Sequence, residues 1–151
     1  MPLFFAKAGP AFTPQQRLAL GTLHSQCPPR VRAVNQTVQQ VSHHDWTHGN
    51  FSGWADNGSI LLLEGEWWRH PGAGIHELLH IIFQGLMTSD QQETWGLFFD
   101  THKSLLPTDY ARKNPDEAMA ESGVAVYRRP LPAGYKAAGV ILTAQVKKYA
   151  E

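Results

Sequence analysis

The chain has 151 residues, five of them Trp, with a single Cys and a formal net charge of zero. That length suits one domain, residues 1–151, with a substantial core. No stretch is strongly basic, so neither a nucleic-acid partner nor a membrane surface is expected, and the lone Cys27 excludes an internal disulfide and any Cys-rich metal site.

Residues 1–6 lack the basic segment and the apolar length of a secretion signal, and no stretch is long enough for a membrane span. The expectation is a soluble domain that is cytoplasmic, delivered by a signal-independent route, or part of a larger protein. Thr13-Pro14 reads as an N-cap followed by proline at the first helical position. The helix it opens runs to about Gln26, with Leu18, Leu20 and Leu23 towards its buried side, and Pro28-Pro29 ends it. Residues 31–41 are rich in β-branched side chains and predict a strand; residues 42–50, polar and His-rich, predict a loop. A short strand over 51–55, a turn at Asp56-Asn57-Gly58 and a strongly apolar strand over 59–64 follow. Pro71-Gly72 leads into a helix that Gly85 ends. Ser89-Asp90 caps a helix carrying Trp95, Leu97, Phe98 and Phe99, and Asn114-Pro115 starts another through about Arg128. The last helix covers 134–150. This order implies an α+β fold with a small mixed or antiparallel sheet and a helical C-terminal half.

The helix after Gly72 carries His76-Glu77-Leu78-Leu79-His80. Residues four apart lie on one helical face about one turn apart, so two imidazoles placed this way can bind one Zn²⁺. Glu77, beside the first His, is then placed to take a proton from a water on the metal. A catalytic zinc usually has three protein ligands and one open position. The metzincin continuation would require Gly and His where Phe83 and Leu86 stand, so that branch is excluded. Two acidic candidates remain, Glu117 and Glu121, which share a face of the helix opened by Asn114-Pro115. One can ligate the metal while the other holds the free ring nitrogen of a ligand His.

The segment from Tyr110 to Glu121, with Asn114-Pro115, Glu117 and Ala120-Glu121 as its fixed points, resembles the downstream motif of gluzincin peptidases, nearest the anthrax lethal factor and Pro-Pro endopeptidase group. The resemblance spans about residues 59–128. It implies Glu117 as the third zinc ligand, Tyr110 facing the metal and Glu121 supporting a ligand His. Ala118-Met119 replaces the family's usual aromatic pair. The resemblance also implies an edge strand just before the zinc helix that pairs with extended substrate backbone. Residues 59–64 are the candidate; four consecutive apolar residues equally suit a central strand, and both readings stand.

The remaining candidates are weaker. His43, His44 and His48 with Asp45 have irregular spacing and read as solvated loop residues rather than a second metal site. Trp67, Trp68, Arg69 and His70 either wall a cleft or pack at its rim. Cys27 has no partner pattern for a nucleophile. The expectation is a zinc-dependent endopeptidase acting on peptide or protein substrates. Its resemblance to toxin and secreted-effector peptidases adds an immunity or inhibitor protein as an expected partner. A zinc-bearing binding module without activity and a housekeeping or regulatory peptidase are the alternatives.

Overall fold

The computed structural model describes residues 3–70 and 72–151. Strands β1 (Leu3–Phe5), β2 (Gln36–Val41), β3 (Gly53–Asp56) and β4 (Ser59–Leu63) form one sheet in the order β1-β2-β4-β3. The first three strands of that order run parallel, and β3 closes the sheet antiparallel to β4. Helices α1 (Pro14–Gln26) and α2 (Pro29–Arg32) separate β1 from β2. Helices α3 (Ala73–Ile81), α4 (Ser89–Thr101), α5 (Pro115–Tyr127) and α6 (Val140–Ala150) make the helical C-terminal half. The fold is α+β. Among the described residues, no helix is long and apolar enough to cross a membrane.

Local chemistry accounts for most boundaries. Thr13 caps α1 through a reciprocal pair of hydrogen bonds with Gln16, and Thr88 caps α4 with Gln91 in the same way. The cap of α4 is therefore one residue before the expected Ser89. The β3–β4 turn carries Asn57 and Gly58, both at positive φ (46° and 93°), as a two-residue hairpin requires. The strand expected over 31–41 is split. Pro28 and Pro29 nucleate the short α2, which takes up Val31, and the strand begins only at Gln36. The last helix starts at Val140 rather than near residue 134, where Gly134 adopts a positive φ. Strand β1 was not expected; three residues carry no periodicity, and β1 exists only by pairing with β2. Leu18 is exposed, because it lies about 200° around α1 from the buried Leu20.

One further difference bears on function. Strand β4 pairs on both sides, with β2 and with β3, so residues 59–64 do not form an edge. Its run of apolar residues is core: Ile60, Leu62 and Leu63 are buried. The edge strand preceding α3 is β3.

Helix α3 lies inside the molecule, with every residue from Gly74 to Ile81 buried. Two glycines allow its close packing. A Cβ on Gly74 would come within 3.0 Å of Leu20 on α1, and one on Gly123 of α5 within 3.0 Å of Leu79 Cδ1. Ala118 and Met119 are fully buried and belong to the core. Adding bulk at the α3–α5 contact should push the helices apart. Gly123→Val is expected to cost about 1–3 kcal/mol in urea unfolding, and to weaken metal binding because α5 carries the acidic half of the site described next.

Candidate metal centre

Helices α3 and α5 bring the chemistry together. Asn114 accepts from the Glu117 amide at 2.8 Å, and Pro115 takes the first helical position, so the start of α5 is set by its own residues. Asp116 and Glu117 fall in the first turn, where the helix dipole favours carboxylates. His76 and His80 project from the facing turns of α3, with their Nε2 atoms 3.0 Å apart. Glu117 reaches both, with Oε2 3.0 Å from His76 Nε2 and Oε1 3.3 Å from His80 Nε2. One donor atom from each of these three residues lies within 4.8 Å of the others.

The outer ring nitrogens are held separately. His76 Nδ1 is 3.0 Å from Glu121 Oε2, the supporting role expected for Glu121. That carboxylate also accepts from Thr108 at 2.8 Å and from the Tyr135 hydroxyl. His80 Nδ1 is 2.7 Å from Asp116 Oδ1, a role that the sequence reading did not assign. Asp116 in turn accepts from Gln84 Nε2 at 3.0 Å. Its signal was present, since Asp116 sits beside Glu117 in the first turn of α5. Gln84 falls four residues after His80, on the same helical face.

The donor chemistry fits a cation. With each Nδ1–H donating to a carboxylate, each neutral ring presents its Nε2 lone pair inward. Two such lone pairs and the Glu117 carboxylate then converge without a donor among them. Glu117 Oε2 is buried and has no hydrogen bond, despite its closeness to His76. Something positive must lie between these groups, either protons or a metal ion. The surroundings of the two rings favour their protonated forms. Burial alone lowers the pKa of both imidazoles, but the carboxylate bonds outweigh it, raising His76 well above its ordinary value and His80 to about 9. Burial raises Glu117, yet the two imidazoles lying 3.0 and 3.3 Å from its oxygens hold it far below the carboxylate range.

Glu77 points into the same space, with Oε1 3.9 Å from His76 Nε2. Burial, opposed by the two imidazoles, raises its pKa. Gly53 on β3 leaves room for it, since a Cβ there would lie 2.7 Å from Glu77 Oε1. Tyr110 stands over His76, ring centres 6.0 Å apart, on a turn fixed by the Ala111 amide donating to Thr108. Burial and the Glu117 and Glu77 charges raise its hydroxyl above the phenol range, so it remains a proton donor. All six residues singled out from the sequence line one cleft of about 950 Å³, bounded on one side by β3.

The other candidates fall elsewhere. His44 is exposed beside Asp45, and His48 stacks on Trp54 with ring centres 4.2 Å apart. Among the described residues, His76, His80 and Glu117 are the one group of three or more potential ligands. Trp67 is a core residue whose indole donates to Gln40; Trp68 is exposed on a different groove, and His70 lines the cleft. Cys27 is buried, and burial pushes its thiol up to about 12, which makes it a poor nucleophile. No family model matches the chain, and neither the curated proteins nor the solved structures contain a match.

Zinc titration of the purified protein tests the donor set. Glu117→Ala should abolish tight binding, whereas Glu121→Ala and Asp116→Ala should each weaken it roughly 10–100-fold. Protons compete for the same nitrogens. The apparent affinity should therefore rise with pH as long as His76 and His80, both held above the ordinary imidazole value, carry protons, and fall by about tenfold per unit of acidification for each proton displaced. Equal affinity at pH 6 and pH 8 would contradict this.

Proposed function

We propose that this chain is a zinc-dependent endopeptidase of the gluzincin type. The observation that carries the proposal is the convergence of both α3 imidazoles and the Glu117 carboxylate in one cleft, with Glu77 beside them. His76, His80 and Glu117 would hold the ion, while Glu121 and Asp116 orient the two rings. Bound there, zinc supplies a Lewis acid that polarises a carbonyl and lowers the pKa of water.

The chain's own groups provide the proton traffic. Glu77, made more basic by burial while the neighbouring imidazoles favour its ionised form, accepts the proton of the attacking water and passes it to the leaving amine. Tyr110, a protonated donor at the cleft wall, hydrogen-bonds the oxyanion as it develops. Strand β3 supports the endopeptidase reading. Its free edge borders the cleft, and an extended peptide can pair with it whatever its side chains. The sequence resemblance to toxin and effector peptidases extends the proposal to an effector domain restrained by an immunity or inhibitor protein.

Glu77→Gln should lose hydrolysis while retaining zinc and fold, as measured with a peptide library and elemental analysis. A parent protein that binds zinc but cleaves no peptide would instead favour a binding module. Tyr110→Phe should lower kcat on the order of 100- to 1,000-fold with KM nearly unchanged, because the lost bond forms mainly in the transition state. An unchanged kcat would remove Tyr110 from the mechanism.

A further inference from the structure

The side chain of Gln84 joins the β3–β4 hairpin to the candidate metal centre by hydrogen bonds. After Ile81, helix α3 widens into one π-helical turn, Ile82–Leu86, which carries Gln84 at its middle. Single π turns of this kind recur at functional sites. From there the amide makes three hydrogen bonds. Its Oε1 accepts from the Asn57 amide in the hairpin turn at 2.7 Å, and its Nε2 donates to the Ala55 carbonyl of β3 at 3.1 Å and to Asp116 Oδ2 at 3.0 Å. Asp116 passes the constraint to His80 Nδ1 at 2.7 Å.

The register of the hairpin shows what the Ala55 bond does. Strand β3 pairs Trp54 with Leu61 and Ala55 with Ile60, and beyond the strand the Leu63 amide donates to the Ser52 carbonyl. Antiparallel pairs alternate between those that exchange hydrogen bonds and those that do not. With Ser52 bonded to β4, Gly53 and Ala55 direct their backbone groups to the open edge. The Ala55 carbonyl is occupied by Gln84, whereas Gly53 borders the cleft next to Glu77.

We propose that Gln84 is a positioning residue that locks the open edge of β3 to His80 through Asp116 and closes that edge to peptide pairing at Ala55. A pairing strand is then confined to the stretch around Gly53, next to the general base. Only a carboxamide serves all three partners. Its oxygen faces an N–H, and its nitrogen faces two acceptors. The inference rests on the metal-site reading for its link to His80, and on the hydrogen bonds alone for its link to the hairpin.

Two measurements separate these links. Amide hydrogen exchange should speed up at Asn57 and along β3 in Gln84→Met, and to a smaller extent in Asp116→Ala, which removes one anchor of the Gln84 amide. Zinc titration should show Gln84→Met and Gln84→Glu each several-fold weaker than the parent. Gln84→Glu should be the weaker, because it turns an acceptor towards Asp116 and Ala55. Combined with Asp116→Ala, Gln84→Met should add no further loss of affinity, since Gln84 acts through Asp116. Multiplicative losses in the double variant, or unchanged exchange at Asn57, would overturn the proposal. A parent chain that binds no zinc would overturn the link to the metal centre, leaving the exchange data to decide the hairpin link. A purely structural Gln84 would lower thermal stability without this dependence on Asp116.

Discussion

The site depends on a problem of buried charge. Four carboxylates and two imidazoles share a small volume largely withdrawn from solvent, where an uncompensated charge costs several kcal/mol. The arrangement works because each group answers another. Glu121 and Asp116 each take one outer nitrogen, Glu117 spans both inner ones, and Thr108 and Tyr135 use the remaining capacity of Glu121. Replacing two imidazolium protons by one divalent cation leaves the net charge unchanged. The same network can therefore be stable in solution with protons and still suit a metal ion.

That balance requires α3 and α5 to pack closely and in a set phase. Closeness comes from Gly123 lying against Leu79, where an added Cβ would stand 3.0 Å from Leu79 Cδ1 and force that side chain to shift. The phase comes from the Asn114 cap with Pro115, which starts α5 so that Asp116, Glu117 and Glu121 all face α3. Much of the energy of this contact comes from residues without chemistry. Leu78, Leu79, Met119 and Val124 are fully buried, and they hold apart from water the groups between which the charges are exchanged. The cleft thus combines a hydrogen-bonded polar network with an open side along β3.

Much of this was legible in local patterns. The caps at Thr13 and Asn114 and the Asn57-Gly58 turn each act within a few residues, and the structure carries all three as read. The α+β class was also readable, as were the pairs His76 with His80 and Glu117 with Glu121, because i and i+4 on a helix share a face whatever lies around it. That Tyr110 and Glu117 would meet the two histidines was implied by the resemblance rather than by spacing, and all six residues line one cleft. Harder to read were short elements whose existence depends on a partner. Strand β1 is held by β2, and α2 displaced the start of the strand expected from β-branched residues.

The sequence by itself determined the chemistry offered: two histidines one turn apart, a carboxylate beside them, and an acidic helix start downstream. Only the tertiary structure decided how these were supported. It placed β4 inside the sheet and gave the open edge to β3, because strand order is set by long-range pairing rather than by the apolar content of one strand. It also assigned Asp116, Thr108, Tyr135 and Gln84 to the rings and carboxylates of the site. Hydrogen bonds between residues 13 to 45 positions apart leave no local period to read; they exist only after packing has fixed the backbones between which they form.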